Sequence, residues 1–196
     1  MLTLPEELRK ALERIVGRLK VKEGVYGVGL FGSRSRGDAV ESSDVDLFIL
    51  DGANLAYEYV ERALGGAFFI DMDHIPKKWI HGPIPPEIDE ELYEMQILYD
   101  KDWSLTNTKL LMCKSYCSFE RVDIRAEAHV VESDIYLSRA TSAFSRGDFR
   151  SSCLFAAVAL ESLLGVFVEA TLGPFSNSRF VEILEASCAK LGMNFF

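Results

Sequence analysis

Between Val25 and Leu50 two short apolar runs are separated by a polar, glycine-bearing loop, and this pairing constrains the fold more than any other stretch of the chain. Val25 to Phe31 is dense in apolar and β-branched residues and reads as a buried strand. The run stops at Gly32-Ser33-Arg34-Ser35-Arg36-Gly37-Asp38, and a second strand is expected over Asp44 to Leu50. Gly32 permits a sharp turn and a close backbone approach to a ligand, and successive backbone N–H groups can form an anion-binding nest. Ser33 adds a hydroxyl donor, and Arg34 and Arg36 add positive charge, so these parts together suit a polyphosphate.

Side chains alternate between the two faces of a strand, which puts Asp44 and Asp46 on one face and Val45 and Leu47 on the other. Carboxylates roughly 7 Å apart repel each other unless a cation lies between them. Hard oxygen donors of this kind suit Mg²⁺, which commonly takes one or two carboxylates together with substrate phosphates. A two-ion arrangement would activate an attacking hydroxyl and steady a departing pyrophosphate.

Around this centre, helical and strand patterns alternate as far as residue 103. Leu8, Leu12, Ile15, Val16 and Leu19 recur at helical spacing after Thr3 or Pro5. Ala53 to Leu64 reads as a helix broken at Gly65-Gly66, Ala67 to Ile75 as a third strand, Glu87 to Met95 as a helix, and Gln96 to Tyr99 as an edge strand. The interleaving predicts an α/β (α+β) domain with a small mixed sheet over residues 1–103. Residues 104–196 carry helical patterns only. One helix covers Tyr116 to Phe144, with a turn at Ser145-Arg146-Gly147-Asp148. A second, capped by Asp148, runs from Phe149 to Leu172 and stops at Gly173-Pro174, and a third runs from Asn177 to Lys190. Ala156, Ala157, Ala159 and Gly165 are small enough for close helix contact, so this half is expected to be an all-α bundle.

With 21 basic against 30 acidic residues, the formal net charge is -9. A broad grip on nucleic acid needs many cations to displace counterions and is disfavoured, whereas a small anionic ligand needs only a local cluster. The N-terminus lacks a basic region followed by an apolar run. The longest unbroken apolar stretch, Leu154 to Leu160, falls far short of the roughly 20 residues that cross a bilayer. A cytoplasmic protein without membrane contact is the resulting expectation. Cys113, Cys117, Cys153 and Cys188 form no Cys-x-x-Cys pair and read as buried free thiols of a reducing compartment. Exposed faces of helical bundles often pair, which makes a homodimer a further expectation.

The order Phe31-Gly32-Ser33, ten residues, then Asp44-Val45-Asp46-Leu47 resembles the signature of the DNA polymerase β-like nucleotidyltransferase superfamily. The run Gly32 to Gly37 is most similar to its minimal nucleotidyltransferases and its aminoglycoside members, kanamycin nucleotidyltransferase among them. The resemblance implies a metal-dependent transfer of a nucleoside monophosphate from an NTP, ATP above all, to a hydroxyl of a small molecule or protein, with release of pyrophosphate. It implies two Mg²⁺ ions, with Gly32, Ser33 and Arg36 around the phosphates, and a third carboxylate from a neighbouring strand. Asp71 and Asp73 are two apart and face the same way, so pattern alone leaves both open. Asp71, flanked by Ile70 and Met72, matches the family's apolar–Asp–apolar form. The implied catalytic and metal-binding set is therefore Asp44, Asp46 and Asp71, with Asp71 also accepting the acceptor's proton and Asp73 in reserve. His74 is expected on the opposite face as a packed side chain.

The helical half resembles the bundles that accompany minimal nucleotidyltransferases, namely HEPN-type domains and the C-terminal domain of kanamycin nucleotidyltransferase. Nuclease versions of HEPN domains carry an arginine, four to six residues, then a histidine. Arg125 and His129 have three between them, which disfavours an RNase. A reading of another class is a non-catalytic nucleotide- or partner-binding module of antitoxin type, which would bind nucleotide and release no pyrophosphate.

Overall fold

The structure, a computed structural model, describes residues 4–173 and 179–193. The alternative helix start at Thr3, the stop at Pro174, the helix start at Asn177 and the apolar end at Asn194-Phe195-Phe196 lie outside the described residues. The chain divides into two compact units after Lys114.

In the first unit, α1 (Glu6–Leu19) is followed by β1 (Val25–Phe31), the short α2 (Gly32–Arg36), β2 (Val45–Asp51), β3 (Tyr59–Gly65), β4 (Phe68–Pro76), α3 (Asp89–Glu94), β5 (Gln96–Asp100) and α4 (Ser104–Ser115). The five strands form one sheet in the order β3-β4-β2-β1-β5. Only β2 and β4 run parallel; the other pairs are antiparallel, so the sheet is mixed. Strand alternation divides its side chains. Val28, Leu30, Val45, Leu47, Ile49, Ile70 and Met72 form one buried layer with Leu8, Leu12 and Leu19 of α1, the helical stripe expected from their spacing. On the other face, Met95 lies over Gly29 and Leu105 over Gly27, where any Cβ would collide with them. Small residues in β1 thus let the chain around α3 and α4 close onto that face.

One expectation needs correction. Ala53 to Leu64 is not a helix, because Tyr59–Gly65 is the edge strand β3. Gly66, at φ +73°, and Ala67 make a two-residue hairpin turn, and β3 pairs along its whole length with β4, from Gly65 opposite Phe68 to Tyr59 opposite His74. A helix there would leave the outer edge of β4 with unpaired backbone groups, and the hairpin satisfies them. Helix α4, the first of the helical region, groups with the first compact unit. Leu105 packs on β1, and Lys109 Nζ donates to the Tyr93 carbonyl at 2.9 Å.

The second unit contains α5 (Phe119–Ser145), α6 (Phe149–Glu169) and α7 (Phe180–Lys190). Asp148 caps α6 as expected, accepting from the Ser151 N–H at 3.2 Å. Helices α5 and α6 form an antiparallel hairpin held by polar contacts as well as apolar ones. Ser133 Oγ donates to the Ala159 carbonyl at 2.9 Å, and Ser162 Oγ donates to Glu132 at 2.9 Å. Gly165 makes room for the His129 ring, which a Cβ would strike. Val168 of α6 packs with Leu184 and Cys188 of α7. Although its longest unbroken apolar run is short, α6 has a mean hydropathy of 1.9 over an 18-residue window and meets the length and composition of a membrane-crossing helix. All four cysteines are free, but only Cys188 is buried, so the expectation of buried thiols holds for one of the four.

Candidate active site

The site lies where β1 ends and β2 and β4 begin. Gly32 takes φ +68°, and a Cβ there would overlap Asp46 Oδ2, so only glycine fits both the backbone angle and the space. From it α2 makes little more than one turn and stops at Gly37, which sits at φ +86° and donates to the Ser33 carbonyl at 2.9 Å. The polar loop expected from sequence therefore opens as a helical turn. Asp44 lies immediately before β2 rather than in it.

The donors expected around a phosphate have different partners. Arg34 is buried, donates to the Ser43 carbonyl at 2.8 Å and lies over the Phe68 ring. It ties the loop to the sheet. The Gly32 N–H donates to Glu94 Oε1 at 2.6 Å, and Arg36 Nη1 donates to Glu94 Oε2 at 2.7 Å. Ser35 Oγ donates to the Glu94 carbonyl at 2.7 Å. The anion on the Gly32 N–H is thus the protein's own carboxylate, supplied by α3, and neither Gly32 nor Arg36 stands open to a ligand. The Ser33 hydroxyl, half-buried, has no hydrogen bond among the described residues.

Beside this turn the three chosen carboxylates converge. Asp46 and Asp71 are direct neighbours across the parallel β2–β4 pair. One oxygen each from Asp44, Asp46 and Asp71 lies within 4.8 Å of the others. Burial, and then the charges of Asp44, Asp73 and Asp71, push the Asp46 carboxyl up to about 6. Asp71 is held below the usual carboxylate range by Arg62 of β3, which donates from Nε to Oδ1 at 2.6 Å and from Nη2 to Oδ2 at 2.5 Å. The same guanidinium stands 3.7 Å from Asp44.

A nucleotidyltransferase domain model matches residues 8–96, which contain every group just described. A protein of Methanocaldococcus jannaschii that carries the provisional name protein adenylyltransferase is 34% identical over 96 residues, covering 44% of this chain and 92% of that relative. The chain belongs to the nucleotidyltransferase family. A crystal structure of a nucleotidyltransferase-like protein from Exiguobacterium sibiricum aligns with 90% of this chain at 14% identity and a TM-score of 0.49. The chain spans 62% of that protein's length.

For a nucleotidyltransferase of this architecture the donor set fits a small, hard divalent cation. Three carboxylates with one oxygen each within 4.8 Å of the others supply only hard oxygen ligands, the donor type such cations take. Asp73, the reserve, lies opposite Phe48 rather than Asp46 and falls outside the three-carboxylate cluster. Its carboxyl is pushed up to about 6, first by burial and then by Asp71 and Glu58. His74 is on the far face of β4, as expected, where it is buried, 3.0 Å from Asp51 and stacked on Tyr59.

Behind the cluster, Glu91 of α3 has a buried oxygen with no hydrogen-bond partner. Burial and the nearby Asp73 push it from 4.5 up to about 9, so it is neutral in the folded protein at pH 7. A carboxyl raised on folding contributes its stability below the unfolded value and loses it as the pH climbs towards the folded one. The nucleotidyltransferase should therefore weaken between about pH 4.5 and 9, with a slope contribution approaching about 1.4 kcal/mol per pH unit. Glu91→Gln, neutral throughout, should flatten that slope in denaturant melts at pH 5 and pH 8.

Arg62, Glu94 and Glu91 escaped the sequence reading. Glu94 and Glu91 carry no spacing signal, because they reach the site from an element separated from the motif by about 60 residues. Arg62 did have one. Reading Gly66-Ala67 as a two-residue hairpin turn puts Gly65 opposite Phe68 and hence Arg62 opposite Asp71.

Proposed function

We propose that the chain transfers a nucleoside monophosphate, AMP from ATP, to a hydroxyl group of a protein, with Asp44, Asp46 and Asp71 as its catalytic and metal-binding residues. The observation that carries this reading is the convergence of those three carboxylates beside the Gly32-Ser33 turn. The family assignment supports nucleotidyl transfer, and the name of the Methanocaldococcus jannaschii relative supports ATP as donor and a protein as acceptor. A small-molecule hydroxyl is compatible with the same chemistry.

In the reaction, the acceptor oxygen attacks the α-phosphorus, the bond to the β-phosphate oxygen breaks, and pyrophosphate departs. Mg²⁺ held by Asp44, Asp46 and Asp71 would supply positive charge for the attacking oxygen and the leaving group. Ser33 offers its free hydroxyl to the donor's phosphates. Glu94, by holding Gly32 and Arg36, keeps the turn in the geometry that presents Ser33. Arg36 therefore acts by positioning in this reading, and its direct contact with phosphate requires Glu94 to yield. The acceptor's proton passes to a carboxylate of the cluster.

Incubation with ATP labelled at the α-phosphate, Mg²⁺ or Mn²⁺, and a cell extract as acceptor source tests the proposal. A covalently labelled protein formed together with pyrophosphate is the expected result. Bound nucleotide without label or pyrophosphate would instead favour the binding-module reading.

A further inference from the structure

We propose that Arg62 is an exchangeable internal counter-ion of the acidic cluster, competing with a divalent cation for Asp71 and Asp44. The inference rests on the metal-site reading of Asp44, Asp46 and Asp71 and adds a residue that controls access to it.

Three observations carry it. First, Arg62 is aimed by the hairpin register: β3 places it directly opposite Asp71, so its position follows from backbone pairing rather than from a chance surface rotamer. Second, its guanidinium uses both Asp71 oxygens in a two-pronged contact and stands within ion-pair distance of Asp44, so one side chain faces two of the three carboxylates. A cation bound by the same carboxylates would have the guanidinium's positive charge beside it, and like charges at that separation disfavour each other even in water. Third, Arg62 is able to leave. Its side chain is 60% exposed, and its other contact among the described residues is the face of the Phe69 ring, 5.6 Å away.

The other two arginines near the site are differently placed. Arg34 is buried against the Ser43 carbonyl and Phe68, and Arg36 is bound to Glu94 at 2.7 Å and lies 3.3 Å from Asp38. Arg62 has two of the cluster's carboxylates, Asp71 and Asp44, as its ion-pair partners. Without a divalent cation it relieves the repulsion between Asp44 and Asp71. When a cation takes those oxygens, the arginine is released into solvent at the rim.

The test measures Mn²⁺ binding in the absence of nucleotide, by calorimetry and by the electron paramagnetic resonance of free Mn²⁺, on the full chain. Arg62→Gln should bind Mn²⁺ about tenfold more tightly than the parent, and Arg62→Lys, which keeps the charge but loses the fork, should fall between them. In the parent, the Arg62 Nε–H resonance should move in step with Mg²⁺ addition as the hydrogen bond to Asp71 breaks. Asp46→Asn serves as the control for the site. If Mn²⁺ binds the parent and is lost in Asp46→Asn, but Arg62→Gln binds equally or more weakly, the counter-ion role is overturned while the metal site stands. If neither parent nor Arg62→Gln binds Mn²⁺, both fall.

Discussion

Asp46→Asn is expected to reduce nucleotidyl transfer by on the order of a thousandfold or more while making the metal-free chain more stable. The loss follows from removing one of three converging carboxylates, because charge stabilisation of several kcal/mol at a phosphoryl centre corresponds to about that factor in rate. The gain in stability follows from the environment of the native carboxyl. Burial and three neighbouring aspartates push Asp46 up to about 6. Being raised, it contributes its stability below its unfolded value of 3.8 and loses it as the pH rises through about 6. At pH 8 the folded protein therefore carries an unfavourable charge that asparagine removes. After allowance for solvent screening this is worth on the order of 1–2 kcal/mol. Single-turnover labelling with α-labelled ATP and thermal melts at pH 5 and pH 8 check the two halves together. Activity within tenfold of the parent would remove Asp46 from the catalytic set. Lost activity with a lowered melting temperature would point to a folding defect instead.

Glu169→Ala should produce the largest loss of stability in the helical unit. Arg125 and Glu169 are both buried, with side-chain exposures of 7% and 2%, and they meet through two hydrogen bonds of 2.9 and 2.8 Å. Arg125 also donates to the Tyr116 carbonyl at 2.9 Å and lies 4.0 Å over its ring. Truncating the glutamate leaves the guanidinium buried without its counter-charge, and breaking such a pair typically costs about 3–5 kcal/mol. Replacing both members, as Arg125→Met/Glu169→Leu, should recover most of that loss, because the cost lies in the orphaned charge rather than in the missing attraction. Denaturant melts followed by helical circular dichroism on the two single variants and the double variant test this. A Glu169→Ala effect below about 1 kcal/mol would show that water reaches Arg125 and screens it. The same pair gives the Arg125–His129 spacing a structural meaning. The arginine is committed to Glu169, and the histidine is packed beside Gly165, where burial lowers its proton affinity.

Much of the candidate site was readable before any coordinates, because its chemistry is written in short-range spacing. Two aspartates two residues apart must share a direction when the backbone is extended. A glycine after a buried strand marks a turn. Those local rules placed β1, β2 and β4 and put Asp44 and Asp46 together, whereas Asp71 was preferred to Asp73 only through the family resemblance; the β2–β4 register sets Asp71 opposite Asp46. They failed at residues 53–64. There the apolar residues also satisfy a helical period, and the decision belonged to the unpaired edge of β4.

By itself, then, the chain's sequence determined the motif, the alternation of elements in the first half, the helical character of the second, and which residues carry oxygen donors. Tertiary structure decided what those donors face. Arg62 lies opposite Asp71 because a hairpin pairs them, Glu94 sits on the Gly32 N–H because α3 closes over β1, and α4 joins the sheet because Leu105 fills the space above Gly27. Each of these depends on contacts between residues distant in sequence or on a pairing register, and neither is encoded in the periodicity of any single segment.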